Sequence, residues 1–426
     1  MTAPQEPARP TPIEEIALRR AAAGPLTFAE FMALALYHPE HGYYTRRGAT
    51  TGREGDFSTS SDVSPAFGRR LAAQAIDVFK LLGGGPWRIV ELGPGRGLLA
   101  ADLLAALREF EPAAAEALEE FALVEISPAL EAAQRERLAP LGGATRFRWV
   151  RAVEELGEGS VVGFVYGNEF LDAFPAHLIA RRGTALVERG VAAAGPEADG
   201  ARGASGDGAA EGIVDEDARG LEAAPDAPRE GAERRLQFVD LPLSSPRLAD
   251  LAARYGLCAE DGWEAEIALG VEAFAAALGR VLARGAACFV DYGHPAARLA
   301  DENHREGSLV GYYRHRATFD LLARPGLQDL TAHVNWDFLD DAMRDAGLVA
   351  AGRATQDKFL LALGAIEDLA APEDPERESP ERLALRLAAR SLILPGAGGG
   401  KRFEAALYVK GLPTTLRGLA DPFAGL

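Results

Sequence analysis

Residues 90–104 read VELGPGRGLLAADLL. An apolar run ends at Leu92. Gly93, Gly95 and Gly97 follow, with Pro94 between the first two, and leucines at helical spacing begin at once. A strand that turns through glycines into a helix lets backbone approach a ligand closely and aims the helix's unpaired N–H groups at it. The spacing excludes the dinucleotide fingerprint, because the last glycine of G-x-G-x-x-G falls on Leu98.

A dinucleotide site also needs an acid for the ribose about 20 residues beyond the glycines. Here the first acid that ends a strand comes later, at Glu125 in FALVEIS, with Ile126 beside it. An acid at that place, after a longer first helix, is the pattern of S-adenosylmethionine binding, in which a carboxylate accepts both ribose hydroxyls. Glu91 lies inside the apolar strand just before the glycines. A buried acid needs a donor-rich or positive partner, and the amino and sulfonium groups of that cofactor supply one. A second glycine cluster, GAGGGKR at 396–402, is not a phosphate loop. Pro395 stands where the first glycine of GxxxxGK belongs, Arg402 replaces the Ser/Thr, and the cluster follows a helix.

Working outward, WRIVELG, FALVEIS, FRWV and VVGFVYG read as strands, and GLLAADLLAALREF and PALEAAQRERLAPL as helices between them. Such alternation implies a parallel sheet covered on both faces. TFAEFMALALY is helical, with Thr27 and Glu30 as a capping box. FGRRLAAQAIDVFKLL, Pro246–Tyr255, VEAFAAALGRVLA, DFLDDAMRDAGL, KFLLALGAIEDL and ERLALRLAARSLIL are further helices, and ACFVDYG and FEAALYVKG are strands. The expected organisation is a disordered lead over residues 1–25 and a helical and loop cap over the cofactor site at 26–85. A first half of the main domain follows at 86–189. Residues 190–234 carry no aromatic side chain and form a disordered insertion between ALVERG and LQFVDLPL, two pieces able to pair. The second half runs 235–426, with a substrate-side insertion at 294–336.

The net charge of −18 argues against a nucleic-acid partner, which requires a concentrated basic surface. Two cysteines, Cys258 and Cys288, form no disulfide framework and fit a reducing, cytoplasmic setting. No apolar stretch reaches 18 residues, so no membrane span is expected. The N-terminus has neither the apolar core of a signal peptide nor the acid-poor composition of a transit peptide. His38 and His41 (HPEH) lack a third ligand nearby, and no metal is expected. Neither cysteine has a base partner, which leaves nucleophilic catalysis unsupported.

Residues 161–175, VVGFVYGNEFLDAFP, end an apolar strand with Asn168, Glu169 and Asp172. In open α/β sheets ligands sit outside the carboxyl ends of the strands. These polar groups therefore face the cleft rather than the core.

Taken together, EGDFSTSSDVSPAFG (54–68), the glycine turn, LVEISPALEAAQ (123–134), GNEFLDAFPAHL (167–178), FVDYG (289–293) and GYYRHR with DLTAHVNW (311–336) resemble the MidA-type methyltransferases. The resemblance runs from about Leu26 to Gly411, excluding the insertion. It implies a class I methyltransferase fold, Rossmann-like, with seven strands, of which the last, FEAALYVKG, is antiparallel. The family's mitochondrial member assists complex I assembly and methylates a protein arginine. Arginine N-methylation of a protein substrate, such as a respiratory-complex subunit, is what the resemblance suggests here. A loop that usually reads GDF-x-TSPE has Ser61-Asp62 at its Pro-Glu positions.

The cofactor-binding set expected on this basis is Glu91, Gly93, Pro94, Gly95, Gly97, Glu125, Ile126 and Asn168, with Asp56, Thr59 and Ser60 on a loop that covers the cofactor. Glu169 and Asp172 hold a guanidinium, since its pKa above about 12 precludes prior deprotonation. Asn168 orients acceptor or cofactor, and Asp172 also suits a helix cap. His333 is placed against the acceptor, and Arg314 and His315 against the target. A small-molecule methyltransferase and a cofactor-binding assembly chaperone without transfer activity are the alternatives, and homodimerisation is left open.

Overall fold

The computed structural model describes residues 10–46, 65–143, 145–195, 235–314, 316–370, 378–393 and 401–422. Asp56, Thr59, Ser60 and His315 lie outside them, as do residues 196–234 of the expected insertion. Among the described residues seven strands form the main path of the principal sheet: β1 (Trp87–Leu92), β2 (Leu118–Val124), β3 (Arg146–Val150), β4 (Val161–Asn168), β5 (Leu282–His294), β6 (Val349–Thr355) and β7 (Phe403–Lys410), and the short strand Val334–Asn335 pairs in parallel with the end of β5. Their order across the sheet is β6-β7-β5-β4-β1-β2-β3. Neighbours from β5 to β3 are parallel, and β7 runs antiparallel to both β5 and β6. This is the class I methyltransferase arrangement, with FEAALYVK as the reversed strand.

The apolar runs are buried because helices cover both faces. Side chains alternate along each strand: Ile89, Phe164, Cys288 and Leu407 enter one core with the helices Pro65–Leu81, Leu98–Phe110 and Pro380–Ile393. Val90, Val165, Phe289 and Ala406 enter the other, with Pro246–Tyr255, Gly270–Val281 and Trp336–Asp345. A third core joins the N-terminal helices to two small antiparallel sheets. One of these contains His177–Arg182, Ala185–Ala193, Leu236–Leu241, Glu264–Ile267 and Leu26–Thr27, and the other Val310–Tyr313, Arg316–Thr318 and Asp329–Thr331.

Four expectations are corrected here. Residues 12–21 of the supposed disordered lead form a helix. Thr11 and Glu14 make a complete capping box, Pro12 opens the first turn, and Ile13 and Ala17 are buried. Pro65–Leu81 packs in the central core rather than in a cap. The insertion does not begin at Gly190, because Ala185–Ala193 is one strand, paired with Leu236–Leu241 and, at Gly190 and Val191, with Thr27 and Leu26. KFLLALGAIEDL is two short helices, broken where Gly364 takes φ 97°. Among the described residues, no helix is long and apolar enough to cross a membrane.

Candidate active site

β1 and β4 are adjacent, so the glycine turn after Leu92 and the acids after Gly167 open at one edge of the sheet. Gly93, Gly95 and Gly97 all adopt positive φ (61°, 51° and 72°). Gly97 caps the helix Leu98–Phe110 from the left-handed region, and its N–H donates to Pro94 O at 2.8 Å. A Cβ on Gly93 would lie 3.0 Å from the Phe170 ring, and one on Gly97 would lie 3.2 Å from Gln134 Cγ. Conformation demands all three glycines, and space adds to the demand at Gly93 and Gly97.

Around this turn lies a cavity of about 450 Å³. Glu91, Gly93, Pro94, Gly95, Glu125, Ile126, Asn168 and Glu169 line it; Gly97 stands behind the turn, and Asp172 lies beneath the lining. His333 lies elsewhere, at a smaller cavity with Glu266 and Asn335. The main cavity also has walls that the sequence reading did not include: Tyr37 and Tyr44 from the N-terminal region, Arg151 after β3, and Phe274.

Glu125 is held by a small network. Ser127 N–H donates to its Oε1 at 2.7 Å, and Gln134 Nε2 donates to its Oε2 at 2.8 Å. The same Gln134 amide donates to Gly95 O at 2.6 Å and accepts from Trp149 Nε1 at 2.9 Å, so both its polar atoms are engaged. One side chain thus ties the glycine turn to Glu125. Burial pushes Glu125 up to about 7, opposed by the Ser127 and Gln134 donors. Leu130, Gln134 and Leu138 follow one another at i, i+4 and i+8 on one helix, with Gln134 and Leu138 fully buried. A polar residue on a buried stripe was the available signal.

Glu91 is 3% exposed, and the β1–β4 register sets Tyr166 directly opposite it. Burial pushes its carboxyl up to about 8, with Tyr166 beside it acting in the other direction. Asn168 Oδ1 is buried without a hydrogen-bond partner among the described residues, while its amide donates to Glu169 Oε1 at 3.0 Å. A buried acceptor aimed at the cavity, a raised carboxyl behind the turn and a fixed carboxylate at the end of β2 together fit a ligand bearing an amino group, hydroxyls and a positive centre.

The NEFLD turn is built on a second acid, Asp291 on β5. Its Oδ2 accepts from the N–H groups of Phe170, Leu171 and Asp172 at 3.0, 2.8 and 3.3 Å, and its Oδ1 from Tyr292 N at 2.9 Å. Glu169 N donates to Val290 O at 2.9 Å, and the residue sits at φ 49°, a left-handed conformation rare for a side chain of its size. Such strain persists where surrounding contacts impose it and gathers at functional sites. Asp172 is in a turn and caps no helix. Burial raises its carboxyl, and the charged groups around it, Asp291, Glu169 and Asp329, are acids that raise it further. Four N–H donors stabilise the charge of Asp291, so Asp172 is the member of the pair that takes up a proton. Tyr44 donates to Asp329 at 2.8 Å, and Tyr37 to Ala173 O at 2.8 Å, closing the acid cluster from the N-terminal side. The result is a cluster of buried acids beside the cavity, in which an approaching cation would favour the ionised forms.

A family model described as "S-adenosyl-L-methionine-dependent methyltransferase" matches residues 70–354. A crystal structure from Burkholderia thailandensis, bound to S-adenosyl-homocysteine, superposes with TM-score 0.77 at 30% identity, covering 99% of this chain and 100% of that one. Among curated relatives, "Protein arginine methyltransferase NDUFAF7, mitochondrial" of Danio rerio is 28% identical over 378 residues, 83% of this chain and 76% of its own. The Drosophila melanogaster homologue is 35% identical over 175 residues, and the match spans 38% of its length. The chain belongs to the S-adenosyl-L-methionine-dependent methyltransferase family, and S-adenosyl-L-methionine is its cofactor.

Proposed function

We propose that this methyltransferase delivers its methyl group to a guanidinium nitrogen of a protein arginine. The observation that carries the reading is Glu169, strained at the end of β4, lining the cofactor cavity in front of the acids Asp172, Asp291 and Asp329. Glu125, with the glycine turn, would hold the ribose side of the cofactor; Glu91 and Asn168 would face its amino-acid part. The cofactor supplies an electrophilic methyl on a sulfonium, and the protein's work is alignment and electrostatics.

A guanidinium stays charged at any working pH. Carboxylates must hold it, and paired hydrogen bonds fix its plane. Glu169 is the acid placed to make them, with the Asn168 amide setting its carboxylate. Transfer forms one N–C bond, breaks the sulfonium S–C bond and releases one proton from the attacked nitrogen. Glu169, the carboxylate that would hold the guanidinium at the cavity wall, is placed to take that proton. The curated relatives are mitochondrial arginine methyltransferases, which supports a protein acceptor; a respiratory-complex subunit suits the resemblance. A reducing, cytoplasmic setting is part of the same proposal and rests on Cys258 and Cys288, both buried thiols.

Methyl-labelled cofactor incubated with the chain and cell lysate, followed by acid hydrolysis and amino-acid chromatography, tests the reading. Label recovered as methylarginine is expected. Label confined to small molecules, or binding of the cofactor without transfer to anything, overturns it.

A further inference from the structure

Three histidines that the sequence separates by up to 39 positions converge outside the lining of the main cavity. His294 ends β5, His304 closes the short 3₁₀ turn Glu302–His304, and His333 follows the strand Asp329–Thr331. One ring nitrogen from each lies within 4.8 Å of the others. The rings meet edge to face, at centroid distances of 5.1 Å for His294–His304 and for His294–His333, and 6.4 Å for His304–His333. His304 is buried, and its Nδ1 lies 3.1 Å from Asp301 Oδ1. That contact fixes the tautomer and leaves Nε2 as a lone-pair donor, the carboxylate–histidine pairing that orients metal ligands. His333 is anchored through its own backbone N–H, which donates to Ser308 Oγ at 3.0 Å.

We propose that His294, His304 and His333 form a binding site for a divalent transition metal, zinc by its ligand type. Imidazole nitrogens are ligands for zinc, copper, iron and nickel rather than for magnesium or calcium. Around zinc, nitrogens at about 2.0–2.1 Å from the ion stand a little over 3 Å apart, so adjustment of about an ångström per side chain would close the set. Three protein ligands leave a fourth position for water. The expectation of no metal weighed only His38 and His41, whose rings stack 5.3 Å apart at a helix end. It could not see a set assembled across three elements.

The placement says what the ion would do. His294 belongs to the principal sheet, His304 to the beginning of the 294–336 segment and His333 to its end. A metal there staples both ends of that segment to β5. The same segment carries Asp329, one of the acids beside Asp172. We assign the ion a positioning role for the acceptor side; the ligand set itself does not depend on which acceptor is methylated.

The test uses the full chain, stripped with a chelator and titrated with Co²⁺ and then with Zn²⁺. One equivalent of Co²⁺ with visible ligand-field absorption, displaced by Zn²⁺, and a melting temperature several degrees higher with Zn²⁺ are expected. His304→Gln and His294→Gln should each abolish the stoichiometric uptake, while His38→Gln and His41→Gln leave it intact. S-adenosyl-homocysteine binding by each variant serves as the check that it is folded. No saturable uptake by the native chain means an imidazole cluster held by packing alone and overturns the proposal. Uptake that survives in folded His304→Gln and His294→Gln chains overturns it equally.

Discussion

Replacing Gln134 with methionine keeps the side chain's volume and removes its amide. Three hydrogen bonds disappear: to Glu125 Oε2, to Gly95 O and from Trp149 Nε1. A hydrogen bond to a charged group contributes about 1.5–3 kcal/mol, and about 1.4 kcal/mol is one pKa unit, so Glu125 should rise by about one to two units. From about 7 it moves to about 8–9. If the ribose hydroxyls require the ionised acid, proton competition weakens S-adenosyl-homocysteine binding about 5- to 50-fold at pH 7, while at pH 9 the deficit falls to about twofold or less. Calorimetric titration at both pH values reads the effect. Gly95 O and Trp149 Nε1 also lose partners, at about 1–3 kcal/mol each, so a melting curve at each pH confirms that the variant is folded. A deficit of the same size at both pH values would show that Gln134 only packs; affinity within twofold at pH 7 would remove it from the site altogether.

Further expectations follow from the same geometry. Glu91 and Glu125 are raised above the ordinary 4.5, to about 8 and about 7. The unliganded fold therefore binds more protons than the unfolded chain, and the stability they contribute is lost as pH rises from about 5 through 8. Cofactor that pairs with the ionised forms should release protons on binding and bind more tightly at pH 8 than at pH 6, which calorimetry in buffers of differing ionisation enthalpy measures; proton uptake would contradict it. Gly95→Ala meets open space and bears only the left-handed penalty of about 1–2 kcal/mol, whereas Gly93→Ala adds a contact with Phe170. Melting temperatures should fall further for Gly93→Ala, and equal losses would deny that crowding. Asp291→Asn sets an amide NH₂ against backbone N–H donors now shared by two oxygens. Methyl transfer should drop at least tenfold with S-adenosyl-homocysteine affinity nearly unchanged, and a fall in binding alone would reverse the assignment.

The cofactor half of the site was legible because its chemistry is local. A strand, three glycines and a helix are contiguous, and Glu91 stands out as an acid inside the apolar run. Glu125 followed from its spacing beyond the glycines, and Asn168 from the rule that strand ends face the cleft. What stayed hidden depends on contacts between distant segments. Gln134 reads as one more helical polar residue until Glu125, Gly95 and Trp149 are brought around it. Asp291 sits in a motif that was quoted, yet its role appears only when β5 lies beside β4 and presents it to the N–H groups of the NEFLD turn. The short strands of the two smaller sheets carry little periodicity of their own. The helix Pro12–Ala21 was missed for a different reason: its Pro-rich surroundings outweighed the Thr11–Glu14 capping box. His333 was expected against the acceptor from the DLTAHVNW stretch; that the fold sets it with His294 and His304 could not be read there.

Glu169 is the proposed meeting point of cofactor and acceptor. Glu169→Gln, assayed side by side for S-adenosyl-homocysteine affinity and for methylation of an arginine-containing protein substrate recovered from lysate labelling, separates the two functions. Cofactor affinity within about twofold and transfer slowed by about 10- to 100-fold, the loss of one charged hydrogen bond to the acceptor, are expected. Native transfer rates in a variant that binds the cofactor normally would contradict it.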